Sequence, residues 1–279
     1  MGGLIHWLLI AILSLLLGRS RSLHITGIDV PHTALSGDTV RLSCTFRLDG
    51  DALYSLTWWK DQQMFFNFVP SNSHPKSVYP VRGIVVHVQE STLNEVVLTV
   101  DHRASGILRC ELLATTFEQD TKQDNMTVVD VPSRGPSITG QRGNYHVGDL
   151  LLLNCSSPFS YPPTALTWDI NGLQAGGPRE IVVTYPGEWD GEGRVSAWSG
   201  LHMWLRAHHF REGVLVLRCT ASILHVYRVS TELIITDGNY MQTSPREGAS
   251  TGGAEWSSVV RGMQPLLLLL LLFLHLLGT

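Results

Sequence analysis

Cys44 is followed fourteen residues later by Trp58 and sixty-six residues later by Cys110; Cys155 is followed thirteen residues later by Trp168 and sixty-four later by Cys219. Few arrangements tolerate a cysteine, a tryptophan and a second cysteine at this spacing. In a two-sheet β-sandwich of the immunoglobulin type, the cysteines sit on facing strands B and F, and the strand C tryptophan packs on the bridge between them. The first cysteines lie 111 residues apart and the second cysteines 109. The chain therefore reads as a tandem repeat of two all-β, immunoglobulin-like sandwiches, the first V-like.

Alternation around each cysteine supports this reading. In the first repeat Val40, Leu42 and Cys44 share one face of a strand and Arg41 and Ser43 the other, as a half-buried strand requires. The same logic turns Tyr54, Leu56 and Trp58 inward, with Leu108, Cys110 and Leu112 facing them, and Met126 and Val128 on the final strand. The second repeat supplies Leu151, Leu153 and Cys155, then Leu166 and Trp168, then Leu215, Leu217 and Cys219. Each cysteine faces inward on opposed sheets of its own repeat, so the expected bridges are Cys44–Cys110 and Cys155–Cys219. A closed loop of this length stabilises by about 4 kcal/mol in the chain-entropy model. Leu108 and Leu217 stand where a corner-pinning tyrosine is usual, and Ala104 and Gly213 replace the usual acidic residue. Both departures argue against an antibody-like subclass.

The ends indicate the compartment. Residues 4–17 form an apolar run followed by Gly18, Ser20 and Ser22, which reads as a signal peptide over 1–22. Export brings the chain into oxidising conditions where bridges persist, and four cysteines in two pairs leave no thiol for metal or catalysis. Residues 266–277 are leucine apart from Phe273 and His275. Twelve helical residues span roughly 18 Å, short of the roughly 30 Å of a hydrocarbon core. Upstream lie the small triplet Gly252, Gly253 and Ala254 and a ten-residue spacer. Together these match a glycosylphosphatidylinositol attachment signal, with Gly252 as the acceptor and Ser250 and Gly253 as alternatives. The expected organisation is a first domain over 23–132, a second over 133–237, a stalk over 238–252 and a removed propeptide over 253–279.

Residues 58–70 read WWKDQQMFFNFVP, followed by HPKSVYPVRGIVV, SGILRCELLATTF and NMTVVDVP; the second repeat opens GPSITGQRGNYHVGDLLLLNCSS and continues ALTWDINGLQA. These stretches resemble the beaten path family of neuronal surface proteins, which carry two immunoglobulin domains. The resemblance covers most of residues 23–175 and fades through 176–213. Trp59 and Leu108 depart from the residues usual there. The resemblance implies heterophilic recognition of immunoglobulin-type receptors of the sidestep family, in axon guidance and synaptic partner choice. Two other classes fit a tandem sandwich: an immune or pathogen-binding receptor, distinguished by tissue expression, and a homophilic adhesion molecule, distinguished by cell aggregation.

Strand parity sends Trp59, Arg109 and Glu111 to the outer face of the first domain, a composition typical of interface anchors. Phe65 or Phe66 joins them, since strict alternation lets only one of the pair face inward; Phe65 is the one assigned outward. Asn125-Met126-Thr127 and Asn154-Cys155-Ser156 are glycosylation sequons whose asparagines point outward. His202, His208 and His209 near Glu212 lack metal-site spacing and read as solvated residues on exposed turns. No nucleophile elbow, phosphate-binding loop or dinucleotide turn is present, and a net charge of −4 does not suit nucleic acid. No enzyme activity, cofactor, metal or small-molecule substrate is expected.

Overall fold

The computed structural model describes residues 23–238; the expected signal peptide, Gly252 and the propeptide lie outside the described residues, as does the stalk beyond Gly238. Within them the chain forms two sandwiches in succession. The first contains β1 (His24–Asp29), β2 (Thr33–Leu35), β3 (Thr39–Arg47), β4 (Leu53–Lys60), β5 (Gln63–Phe68), β6 (Lys76–Val78), β7 (Ile84–Val86), β8 (Glu95–Val100), β9 (Gly106–Ala114) and β10 (Gln119–Val129). One sheet runs β1-β3-β8-β7 and the other β2-β10-β9-β4-β5-β6. The two extra strands beyond β4 are what distinguish a variable-type immunoglobulin sheet.

The second sandwich contains β11 (Ser137–Thr139), β12 (Leu150–Ser160), β13 (Ala165–Ile170), β14 (Leu173–Gln174), β15 (Glu180–Tyr185), β16 (Val195–Trp204), β17 (Val214–Ile223) and β18 (Tyr227–Thr236). Its sheets run β11-β12-β16-β15 and β14-β13-β17-β18. Here the strand after β13 is two residues long and is reached through Asn171 and Gly172, both at positive φ, the pairing that a tight hairpin favours.

The inward residues of each repeat close on a bridge. Cys44 joins Cys110 and Cys155 joins Cys219, and Trp58 and Trp168 lie opposite Cys110 and Cys219 in register. Around the first bridge Leu42, Leu56, Leu98, Leu108 and Leu112 are fully buried; around the second, Leu151, Leu153, Leu201, Leu215 and Leu217 are. Trp168 donates its indole N–H to the Ser199 hydroxyl at 3.2 Å.

Two inward assignments need correction, and both have the same cause. Tyr54 is 53% exposed rather than inward, because the β4–β9 register slips between Leu53 and Ser55. Phe65 is fully buried, as is Phe66, so it does not belong to the outer face. In the β4–β5 ladder Trp58 faces Phe66 but Trp59 faces Met64. Phe65 is the unmatched residue of a β-bulge, and a bulge resets side-chain parity on its strand.

The sandwiches meet at a polar joint. The backbones of Asp130 and Tyr161 exchange hydrogen bonds of 2.8 and 3.0 Å. The buried His102 ring reaches the Glu192 carbonyl through Nε2 at 2.9 Å and lies with Nδ1 3.5 Å from the Asp130 carboxylate. Arg103 pairs with Glu192 at 3.0 Å, and Arg194 with Asp130 at 3.4 Å. No helix among the described residues is long and apolar enough to cross a membrane.

Candidate functional site

The outer face of the six-stranded sheet is built in rows across β10, β9 and β4. One row aligns Gln123, Arg109 and Trp59; the next toward the β9–β10 turn aligns Thr121, Glu111 and Thr57. Opposed residues on neighbouring strands point to the same face, so these side chains share one surface, turned away from Trp58 and the bridge. The Arg109 guanidinium carbon sits 5.1 Å from the centre of the Trp59 ring, within the range of cation–π attraction. Trp59, Arg109 and Glu111 are half-buried. The Trp59 Nε1 and Arg109 Nε atoms are shielded from solvent and meet no acceptor among the described residues. The Trp59 ring thus lies beneath the Arg109 cation.

Phe117 carries no signal in an alternation pattern, because it stands in the turn between β9 and β10. It is 87% exposed and has a φ of 68°, a left-handed conformation that is uncommon and costly for a bulky side chain. That turn is tied to the segment before β4, with the Thr115 N–H donating to the Ala52 carbonyl at 2.9 Å and the Thr116 hydroxyl to Asp51 at 3.2 Å. Phe117 and the exposed Tyr54 therefore mark one end of the first domain. His102, at the other end of β9, touches the second domain, so the Phe117 end is the free one.

Both sequon asparagines are exposed. Asn125 lies opposite Ile107, one row from the Trp59–Arg109 row on the same face and on its junction side. Asn154 lies on β12 in the second domain, between Thr139 and Gly200.

The histidines are not uniformly solvated. His209 is buried, its Nδ1 accepting the Arg206 N–H at 3.1 Å and its ring edge-on to His208 at 4.2 Å. His202 lies on β16, near the Tyr185 hydroxyl. Burial pushes the His209 imidazole below the ordinary histidine value, and the neighbouring His208 adds to this. No cluster of three or more His, Cys, Asp or Glu able to hold a metal occurs among the described residues.

No family model and no curated protein sequence matches the chain. Solved structures do. The D1–D2 fragment of Rst superposes with a TM-score of 0.52 at 16% identity, over 77% of this chain and 98% of that one. Murine CEACAM1b gives 0.51 at 13% identity, over 77% and 98%. An ICAM-5 fragment of domains D1–D4 gives 0.51 at 14% identity, over 77% of this chain and 53% of its own. The chain is a tandem pair of immunoglobulin-like domains. At these identities the likeness establishes the fold alone.

Proposed function

We propose that the chain is an extracellular recognition protein. Its first domain binds an immunoglobulin-superfamily receptor, of the sidestep type that the beaten path resemblance implies, in axon guidance and synaptic partner choice. The observation that carries this is the Trp59–Arg109 couple on the outer face of a variable-type sheet, with Glu111 one row away and Phe117 exposed at the free end. A ring already fixed beneath a cation loses little freedom on docking, which is where association costs accumulate. Tryptophan and arginine are among the residue types most enriched at the positions that dominate binding energy. The partner approaches from the Phe117 end, because a glycan at Asn125 borders the junction side of the face.

In this reading the mature protein is carried to the cell surface, held there by a lipid at Gly252, and glycosylated at Asn125 and Asn154. It acts without cofactor. Printing the purified two-domain protein against a panel of immunoglobulin-type ectodomains is the direct test: sidestep-type receptors should be captured. Capture of itself alone, or of no member of the panel, contradicts the proposal. Phosphatidylinositol-specific phospholipase should release the protein from intact cells.

A further inference from the structure

The outer face of the β11-β12-β16-β15 sheet carries a group of exposed aromatic and aliphatic side chains. Register places His202 between Leu152 and Ile181, and Trp198 beside Tyr185, with Trp204 at the end of the face opposite Leu150. Ile181 is 62% and Trp204 58% exposed, and Leu152, Trp198 and Tyr185 are exposed with them. The outward positions from Leu150 to Ser156, Trp198 to Trp204 and Ile181 to Tyr185 include no Asp, Glu, Lys or Arg. A contiguous apolar surface of this kind on an extracellular domain calls for a cover.

Asn154 stands in the middle of that face. Its neighbours across the two ladders are Thr139 on β11 and Gly200 on β16, so on the β16 side no side chain rises opposite it. The space a Gly200 side chain would fill is instead taken by the Tyr185 ring: a Cβ there would meet the Tyr185 hydroxyl at 2.8 Å and Cε2 at 3.0 Å. The ring lies across the strand, with its hydroxyl 3.4 Å from His202 Nε2. An aromatic surface thus flanks a sequon asparagine at sheet level, with Trp198 diagonal to it. Sugar rings present apolar C–H faces that stack on aromatic planes, and their hydroxyls face water.

We propose that Asn154 carries an N-linked glycan whose first sugars lie across this face and cover it, stacked on Tyr185 and Trp198. The inference rests on the secretory reading above. In the modification the Asn154 carboxamide nitrogen attacks the anomeric carbon of a polyprenyl-pyrophosphate-linked oligosaccharide. One N–C bond forms, one C–O bond to the pyrophosphate breaks, the amide gives up a proton, and polyprenyl pyrophosphate leaves.

Glycopeptide mass spectrometry of the full chain secreted from animal cells should find Asn154 occupied. Asn154→Gln should lose that glycan, bind roughly twofold or more of an apolar-surface dye, and self-associate in sedimentation. Adding Ile181→Lys and Trp204→Glu to Asn154→Gln should return both readouts to the wild-type level. Endoglycosidase trimming of the folded wild-type protein should raise dye binding likewise, and it needs no variant to fold. A bare Asn154 overturns the proposal: with Asn125 occupied it fails alone, and with Asn125 also bare the secretory reading fails with it. An occupied Asn154 whose removal changes neither dye binding nor sedimentation also overturns it. So does a glycosylated wild-type dimer that Trp204→Glu dissociates, which would make a second copy the cover.

Discussion

The β1-β3-β8-β7 sheet of the first domain and the β11-β12-β16-β15 sheet of the second occupy the same place relative to their bridges, yet their outer faces are opposites. Three residues before the bridged cysteine the first has Arg41, paired with Glu95, where the second has Leu152. One residue before it the first has Ser43 facing Glu95, where the second has Asn154 facing Gly200. Thr39 faces Thr99 in the first, and Leu150 faces Trp204 in the second. The inward residues are apolar in both: Val40, Leu42 and Cys44 in the first, Leu151, Leu153 and Cys155 in the second. Close packing around the bridge fixes what faces in, while the outer face is free to follow whatever covers it: solvent in one sheet, and in our proposal a glycan in the other.

The largest effect should come from the bulge that sets the two cores apart. Phe65 is buried because β5 carries one residue more than β4 opposes, and the two-residue β14 offers no counterpart. Phe65→Ala should cost about 3–5 kcal/mol, read as lost hydrogen-exchange protection in the first domain with the second unchanged. Equal loss in both domains would show that the sandwiches are coupled rather than independent.

Next in size is the contrast between the aromatic faces. Truncating a central anchor typically costs about 2 kcal/mol or more, roughly thirtyfold in affinity. Trp59→Ala should weaken receptor capture by that much, and Phe117→Ala should weaken it in the same direction, while Trp198→Ala in the second domain leaves affinity unchanged. A folded Trp59→Ala protein with undiminished affinity would move the docking face elsewhere.

The sandwiches were legible in the sequence wherever alternation is strict, as at Val40, Leu42 and Cys44 or Leu215, Leu217 and Cys219. Legibility ended where the ladder slips. At Tyr54 and Phe65 a bulge reverses parity, and period-two reasoning carries no term for an extra residue. The first half of β10 failed for another reason. Its inward positions are Asp120, Lys122 and Asp124, which show no apolar alternation, yet Asp120 accepts the Ile25 N–H at 2.7 Å and Lys122 reaches the Thr26 carbonyl at 3.4 Å. Polar side chains there serve the backbone of β1, a role that hydrophobic patterning cannot register. Of the proposed recognition face, Trp59, Arg109 and Glu111 were placed on the outer side by parity. Phe117 was not, since a turn residue has no parity.

A smaller difference should separate the two core tryptophans. Trp168 donates to Ser199, whereas Trp58 Nε1 is buried and meets no acceptor among the described residues. Trp168→Phe leaves the buried Ser199 hydroxyl without its partner, while Trp58→Phe removes a donor that had none. With similar volume lost in each, Trp168→Phe should cost about 1–3 kcal/mol more. Hydrogen exchange resolved by domain measures it, and equal costs would mean that the Ser199 contact contributes nothing net.

The least of these effects is acid sensitivity, and it should also divide the domains. In the second, the His209 imidazole is held below the ordinary value of 6.5 by burial first and by His208 and Arg206 after it, with Glu180 opposing. Its Nδ1 must stay unprotonated to accept the Arg206 N–H. The folded value lies below the unfolded one, so the unfolded chain takes up the proton first as pH falls. Stability is complete above the unfolded value and is lost as pH falls through the folded one. In the first domain Asp101 is held low chiefly by its hydrogen bond from the Arg103 side chain, so its contribution is complete above the ordinary carboxylate range and is lost only in stronger acid. Between about pH 7 and about pH 5, where histidine titrates and paired carboxylates do not, the urea midpoint of the second domain should fall while that of the first stays fixed. His209→Gln, neutral throughout, should flatten the second domain's response. If the variant remains as acid-sensitive as the wild type, another group in the second domain carries the proton.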